Sequence, residues 1–168
     1  MSAYRICFVC TGNICRSPSA EVILRARAHD AGLDVVVDSA GTDGYHVGDG
    51  ADYRALRAMK AAGYDGTAHV ARQFDEGWFA ERDLVVALDR GHFRLLHAMA
   101  PDEEAAAKIR LMRSFDIDAE DLDENDPHID VADPYYGPDS AFTEMVEQLE
   151  AASDGLVEFL AERTEHPA

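Results

Sequence analysis

The stretch Cys10-Thr11-Gly12-Asn13-Ile14-Cys15-Arg16-Ser17 constrains this chain more than any other. It follows a short apolar run, Ile6-Cys7-Phe8-Val9, and precedes Pro18-Ser19-Ala20-Glu21, which reads as the first turn of a helix. A strand, a tight loop and a helix start in that order gather backbone N–H groups and the positive end of a helix dipole around one small volume. Such a loop is expected to hold a phosphate, with Thr11, Gly12, Asn13, Ile14 and Cys15 as its frame.

The side chains add chemistry to binding. A cysteine placed as Cys10 is favoured as thiolate by the helix start and a nearby guanidinium, which makes it a nucleophile at neutral pH. Arg16, six residues on, can curl back so that its planar fork grips two phosphate oxygens, a geometry lysine lacks. Gly12 permits a sharp turn and close approach of a ligand to the backbone. Asn13 suits a left-handed position and can pin the loop through its amide. Ser17 can donate a hydrogen bond to the thiolate. A Cys-X5-Arg spacing alone recurs by chance, but the strand before it, the Ser-Pro after it and the Gly and Asn inside it are independent requirements.

A length of 168 residues with 47% hydrophobic content suits one domain, 1–168, around one core. No apolar run approaches the ~18 residues of a membrane span, and the N-terminus lacks the pattern of a signal peptide, so a cytoplasmic location is expected. The formal charge of −18 argues against nucleic-acid or anionic-membrane partners, which need a basic face. Cys7, Cys10 and Cys15 are an odd, tightly clustered set and no disulfide framework. Cys7 and Cys10 have C-x-x-C spacing, yet no second pair or His cluster completes a zinc site, so no metal is expected. Cys7 reads as plain core, on the opposite strand face from Phe8.

Along the chain, Tyr4 to Val9 reads as a strand buried on both faces. Pro18 to about Ala31 is predicted helical, with Gly32 as its stop. Val35-Val36-Val37 is a second strand, and Ser39 to Gly50, carrying Tyr45 and His46, is expected to be a loop. Asp52 caps a helix to Ala62, with Leu56 and Met59 inward and Gly63 as stop. A short helix carries Trp78 and Phe79. Leu84 to Leu88 is a third strand, with Asp89 at the end where parallel sheets place their sites. Arg90 to Met99 reads as helix and Ile109 to Met112 as the fourth strand. The eight acidic residues between Asp116 and Asp130 suggest a solvated, mobile loop. Asp139 to about Glu165 is a final helix with Phe142, Met145, Val146, Leu149, Ala152, Leu156 and Leu160 on one stripe. Strands alternating with helices imply a parallel α/β sandwich with helices on both faces.

The stretch Phe8 to Pro18 closely resembles the signature loop of the low-molecular-weight protein tyrosine phosphatases, in particular their bacterial branch. Further similarity lies in Asp38-Ser39-Ala40-Gly41-Thr42, His46-Val47-Gly48, Ala71-Arg72-Gln73-Phe74, Leu84 to Asp89 and Asp133-Pro134-Tyr135-Tyr136-Gly137. The resemblance covers essentially the whole chain and implies a flavodoxin-like sheet of order 2-1-3-4, with the Cys10 loop at its switch point. It implies that Tyr45, with His46 beside it, lines one wall of the substrate cleft and that Tyr135 and Tyr136 form the other. His69, which taken alone reads as a structural histidine, is placed by the resemblance in the network bracing Asn13. A serine that completes this brace in some relatives aligns with Asp43, and Thr42 or Ser39 are the other candidates.

The resemblance implies a protein tyrosine phosphatase that needs no metal or organic cofactor. Cys10 would attack phosphorus while Arg16 and the loop amides hold the oxygens, and Asp133 would protonate the leaving tyrosine oxygen. Its partners would be phosphotyrosine proteins, with inorganic phosphate as product and inhibitor. Cys15, five residues from the nucleophile, is expected to close a reversible disulfide on oxidised Cys10. Arsenate reductases of this fold need further cysteines, and none follows Cys15. Arginine phosphatases carry threonine where this chain has Ile14 and lack the paired tyrosines. A non-catalytic phosphate-binding or redox-sensing module would lack the nucleophile or the acid.

Overall fold

The computed structural model describes residues 3–164, and Glu165, the expected end of the final helix, lies outside them. Strand β1, Tyr4–Cys10, occupies the middle of the sheet because its side chains are apolar on both faces. Ile6, Phe8 and Cys10 enter one core with α1 (Arg16–Asp30) and the long α5 (Asp139–Thr164), whose expected apolar stripe is buried throughout. Cys7 and Val9 enter a second core on the other face, with Phe74, Phe79 and Leu96. The alternation is the period-two pleat of a strand covered on both sides.

Strands β2 (Val35–Gly41), β3 (Leu84–Ala87) and β4 (Ile109–Leu111) complete a four-stranded, all-parallel sheet in the order β2-β1-β3-β4. The chain crosses from β1 to β2 on one side and then returns past β1 to β3, so the loop after β1 opens at the switch point of the sheet. Helices α2 (Tyr53–Ala61), α3 (Arg90–Met99) and the short α4 (Glu103–Ala106) fill the connections. Gly32 and Gly63 end α1 and α2 with φ of 71° and 97°, a conformation in which a side chain would be strained.

Two stretches differ from expectation. Ser39, Ala40 and Gly41 continue β2, pairing with Phe8, Val9 and Cys10, instead of opening the loop. Polar Ser39 hid this, because its hydroxyl has buried partners. The acidic segment, preceded by a 3-10 turn at Met112–Phe115 that ends the fourth strand at Leu111, is itself folded into 3-10 turns at Ile117–Ala119 and Pro127–Ile129. Asp116 and Asp126 cap two of these turns through the N–H groups of Asp118 and His128, and Ala119 and Ile129 are buried in the second core. Several of its carboxylates are thus turn-forming groups and not merely solvated charge.

Candidate active site

Helix α1 begins at Arg16, two residues before the expected start, and no side chain caps it. Its first turn is therefore open to an anion. The loop from Thr11 to Cys15 closes over this end. Its one left-handed residue is Asn13, at φ 58°, and not Gly12. Gly12 instead lets the His46 ring approach closely, since a Cβ there would stand 3.0 Å from it.

Asn13 is fully buried and its amide is saturated. Its Nδ2 donates to Ser17 Oγ at 2.8 Å and to Ser39 Oγ at 2.9 Å, while its Oδ1 accepts from the Arg72 N–H at 2.9 Å. Ser39 is thus the serine partner, and Asp43 instead lines the cleft. Ser39 Oγ in turn donates to Glu21 Oε1 at 2.7 Å. His69 Nε2 donates to the Asn13 carbonyl at 2.6 Å. Burial lowers the His69 pKa and keeps the ring neutral, though that hydrogen bond opposes the shift.

Because Ser17 Oγ accepts from Asn13, its proton is free to donate. Cys10 Sγ lies 2.8 Å away and the Ala40 carbonyl 3.4 Å, so the sulfur is the better placed acceptor. Cys15, also lining the cleft, has its pKa pushed well up by burial first and then by nearby Asp52 and Cys10, so it stays a thiol.

Arg16 is 5% exposed and held from behind. Its Nη1 donates to Asp89 Oδ2 at 2.8 Å and to the Val131 carbonyl at 2.9 Å, and its Nη2 lies 3.7 Å from Asp133 Oδ2. Asp89, at the strand end where the site and its substrate cleft were expected, pairs with the guanidinium and is not among the residues lining the cleft. Burial alone would raise its pKa, but His92, the His92 N–H and Arg16 together hold it low.

The cleft is lined by Tyr45, His46 and Asp43 and by Asp133, Tyr135 and Tyr136, with the loop residues Cys10, Thr11, Gly12, Ile14, Cys15 and Arg16 as its floor. Tyr135 and Tyr136 meet edge to face at 4.9 Å. Asp133, 52% exposed, stands at the mouth, and its Oδ1 accepts from the Tyr135 N–H at 3.1 Å.

Three contributors escaped the sequence reading. His92 Nε2 lies 2.8 Å from Thr11 Oγ1, and burial lowers its pKa to about 4 despite neighbouring Asp89. Asp52 donates its N–H to the Ile14 carbonyl at 2.8 Å, besides capping α2. Arg54 grips Asp52 and reaches the Tyr135 carbonyl. The only signals were an Asp-x-x-His at a helix start and an Asp-x-Arg at another, both common surface patterns.

The sequence matches the family model for low molecular weight phosphotyrosine protein phosphatase over residues 5–166. A low molecular weight protein-tyrosine-phosphatase of Streptomyces coelicolor is 53% identical over 164 residues, covering 96% of each chain. The human low molecular weight phosphotyrosine protein phosphatase is 37% identical over 146 residues, 85% of this chain and 87% of its own. A crystal structure of the protein tyrosine phosphatase from Entamoeba histolytica superposes with a TM-score of 0.86 at 32% identity, covering 95% of this chain and 98% of that one. With sequence, fold and loop in agreement, this chain belongs to the low molecular weight phosphotyrosine protein phosphatase family.

Proposed function

We propose that this chain hydrolyses phosphotyrosine in proteins through a cysteinyl phosphate. The observation that carries this reading is the convergence, in one cleft, of Cys10 at the end of β1, buried Arg16 at the uncapped start of α1 and half-exposed Asp133. Cys10 Sγ attacks phosphorus, the bond from phosphorus to the tyrosine oxygen breaks, and Asp133 gives that oxygen a proton. Loop N–H groups and Arg16 stabilise the charge on the equatorial oxygens. Asp133, now ionised, takes a proton from water, which attacks the intermediate and releases phosphate. Because the product occupies the same loop, inorganic phosphate competes with substrate.

The aromatic walls favour an aryl phosphate over phosphoserine or phosphoarginine, since Tyr45, Tyr135 and Tyr136 all line the cleft. A cysteine nucleophile beside a second free thiol suits a reducing cytoplasm. Among the described residues no helix is long and apolar enough to cross a membrane.

The test is turnover of a phosphotyrosine peptide beside phosphoserine and phosphoarginine substrates, with two variants. Cys10→Ser is expected to abolish turnover while retaining phosphate binding by calorimetry, and Arg16→Ala to impair both. Substantial turnover by Cys10→Ser would sink the covalent mechanism.

A further inference from the structure

Asp133 sits on a stretch, Ala132 to Pro138, without helix or strand, and its carboxylate is half exposed. An acid so placed is effective only if its backbone is held relative to the nucleophile. Two carbonyls flank it symmetrically, those of Val131 and Tyr135, and each accepts from an arginine. Arg16 Nη1 donates to the first at 2.9 Å and Arg54 Nη1 to the second at 2.9 Å.

Arg16 belongs to the nucleophile loop, and Arg54 is tied to that loop at one remove. Its Nε and Nη2 donate to the two oxygens of Asp52 at 3.1 and 3.0 Å, and the Asp52 N–H donates to the Ile14 carbonyl at 2.8 Å. The guanidinium also lies over the Tyr135 ring at 5.2 Å and the Phe142 ring at 4.7 Å. One planar group thus joins the loop, the start of α2 and the far side of the acid. A lysine cannot chelate Asp52 and reach Tyr135 together.

We propose that Arg54 is a positioning residue that sets Asp133 against Cys10 by linking the Ile14 loop to the Tyr135 carbonyl. This rests on the assignment of Asp133 as general acid. A merely structural ion pair would affect every substrate alike, whereas misplacing the acid penalises only leaving groups that need a proton.

The experiment compares kcat/KM for phenyl phosphate, a poor leaving group, and p-nitrophenyl phosphate, an activated one, in the full chain. Arg54→Met keeps an apolar stem on Phe142 and removes the donors. It is expected to lose at least about tenfold on phenyl phosphate and less than about threefold on p-nitrophenyl phosphate. Arg54→Lys should recover part of the loss, and adding Arg54→Met to Asp133→Asn should cost phenyl phosphate hydrolysis nothing further. Equal losses on both substrates in Arg54→Met and Arg54→Lys, or none in either, overturn the proposal while Asp133→Asn still separates the substrates. If Asp133→Asn does not separate them, the acid assignment fails and takes the proposal with it.

Discussion

At the scale of single residues, the site depends on where a few protons point. Asn13 uses both amide hydrogens on hydroxyls and its oxygen on a backbone N–H, which leaves Ser17 oriented to donate to Cys10. The same sulfur has a second neighbour in Cys15, whose burial and raised pKa make it a weak attacking group. Peroxide entering the cleft can oxidise Cys10 to the sulfenic acid, and Cys15 can then condense with it, forming the S–S bond and releasing water. The outcome expected is reversible inactivation with a Cys10 to Cys15 disulfide, closing slowly because Cys15 must first lose its proton. Mass spectrometry after peroxide, with thiol rescue of wild type and Cys15→Ser, checks it. Equal recovery and no linked peptide would leave Cys15 as packing.

At the scale of elements, the close approach of β2 to the nucleophile loop is set by Gly41. A Cβ there would lie 2.6 Å from the Thr11 carbonyl oxygen and 3.2 Å from the Asn13 nitrogen, both backbone atoms that cannot swing away. Gly41→Ala is therefore expected to cost about 1–3 kcal/mol of stability and to depress turnover by displacing the loop. Thermal unfolding and kcat measured together decide it, and wild-type values for both would show that the loop yields freely. The strand, loop and helix around Cys10 were legible in the sequence because apolar period, Gly, Asn and Ser-Pro all mark the same boundary. The end of β2 was not, since Ser39 and Gly41 earn their places through partners distant in sequence. For the same reason Asp89 could be placed at its strand end but not behind Arg16, and Arg54 looked like any helix-surface arginine.

At the scale of the whole molecule, a formal charge of −18 has to coexist with the proposed site for a phosphate dianion. Local arginines and loop N–H groups act against a repulsive global field. Falling pH relieves that field by protonating surface carboxylates, which favours the folded state. His92 works the other way. Burial is the main cause of its lowered pKa, Arg16 adds to it, and Asp89, Asp133 and Asp130 only partly oppose it. Its Nδ1 lies 3.2 Å from Asp89 Oδ1 but is not aligned for a hydrogen bond, so the carboxylate does not rescue the imidazolium. With a folded-state pKa of about 4 against an ordinary 6.5, the unfolded chain binds the proton more tightly. The contribution of His92 to stability is then complete above pH 6.5 and is lost as pH falls through 4, to the extent of about 3 kcal/mol. His92→Gln keeps an amide within reach of Thr11 and cannot titrate. Urea unfolding of both proteins from pH 7 to pH 4 cancels the shared surface field. The wild type is expected to lose stability relative to the variant across that window, whereas parallel curves would mean that His92 takes up its proton equally well in the folded and unfolded chains.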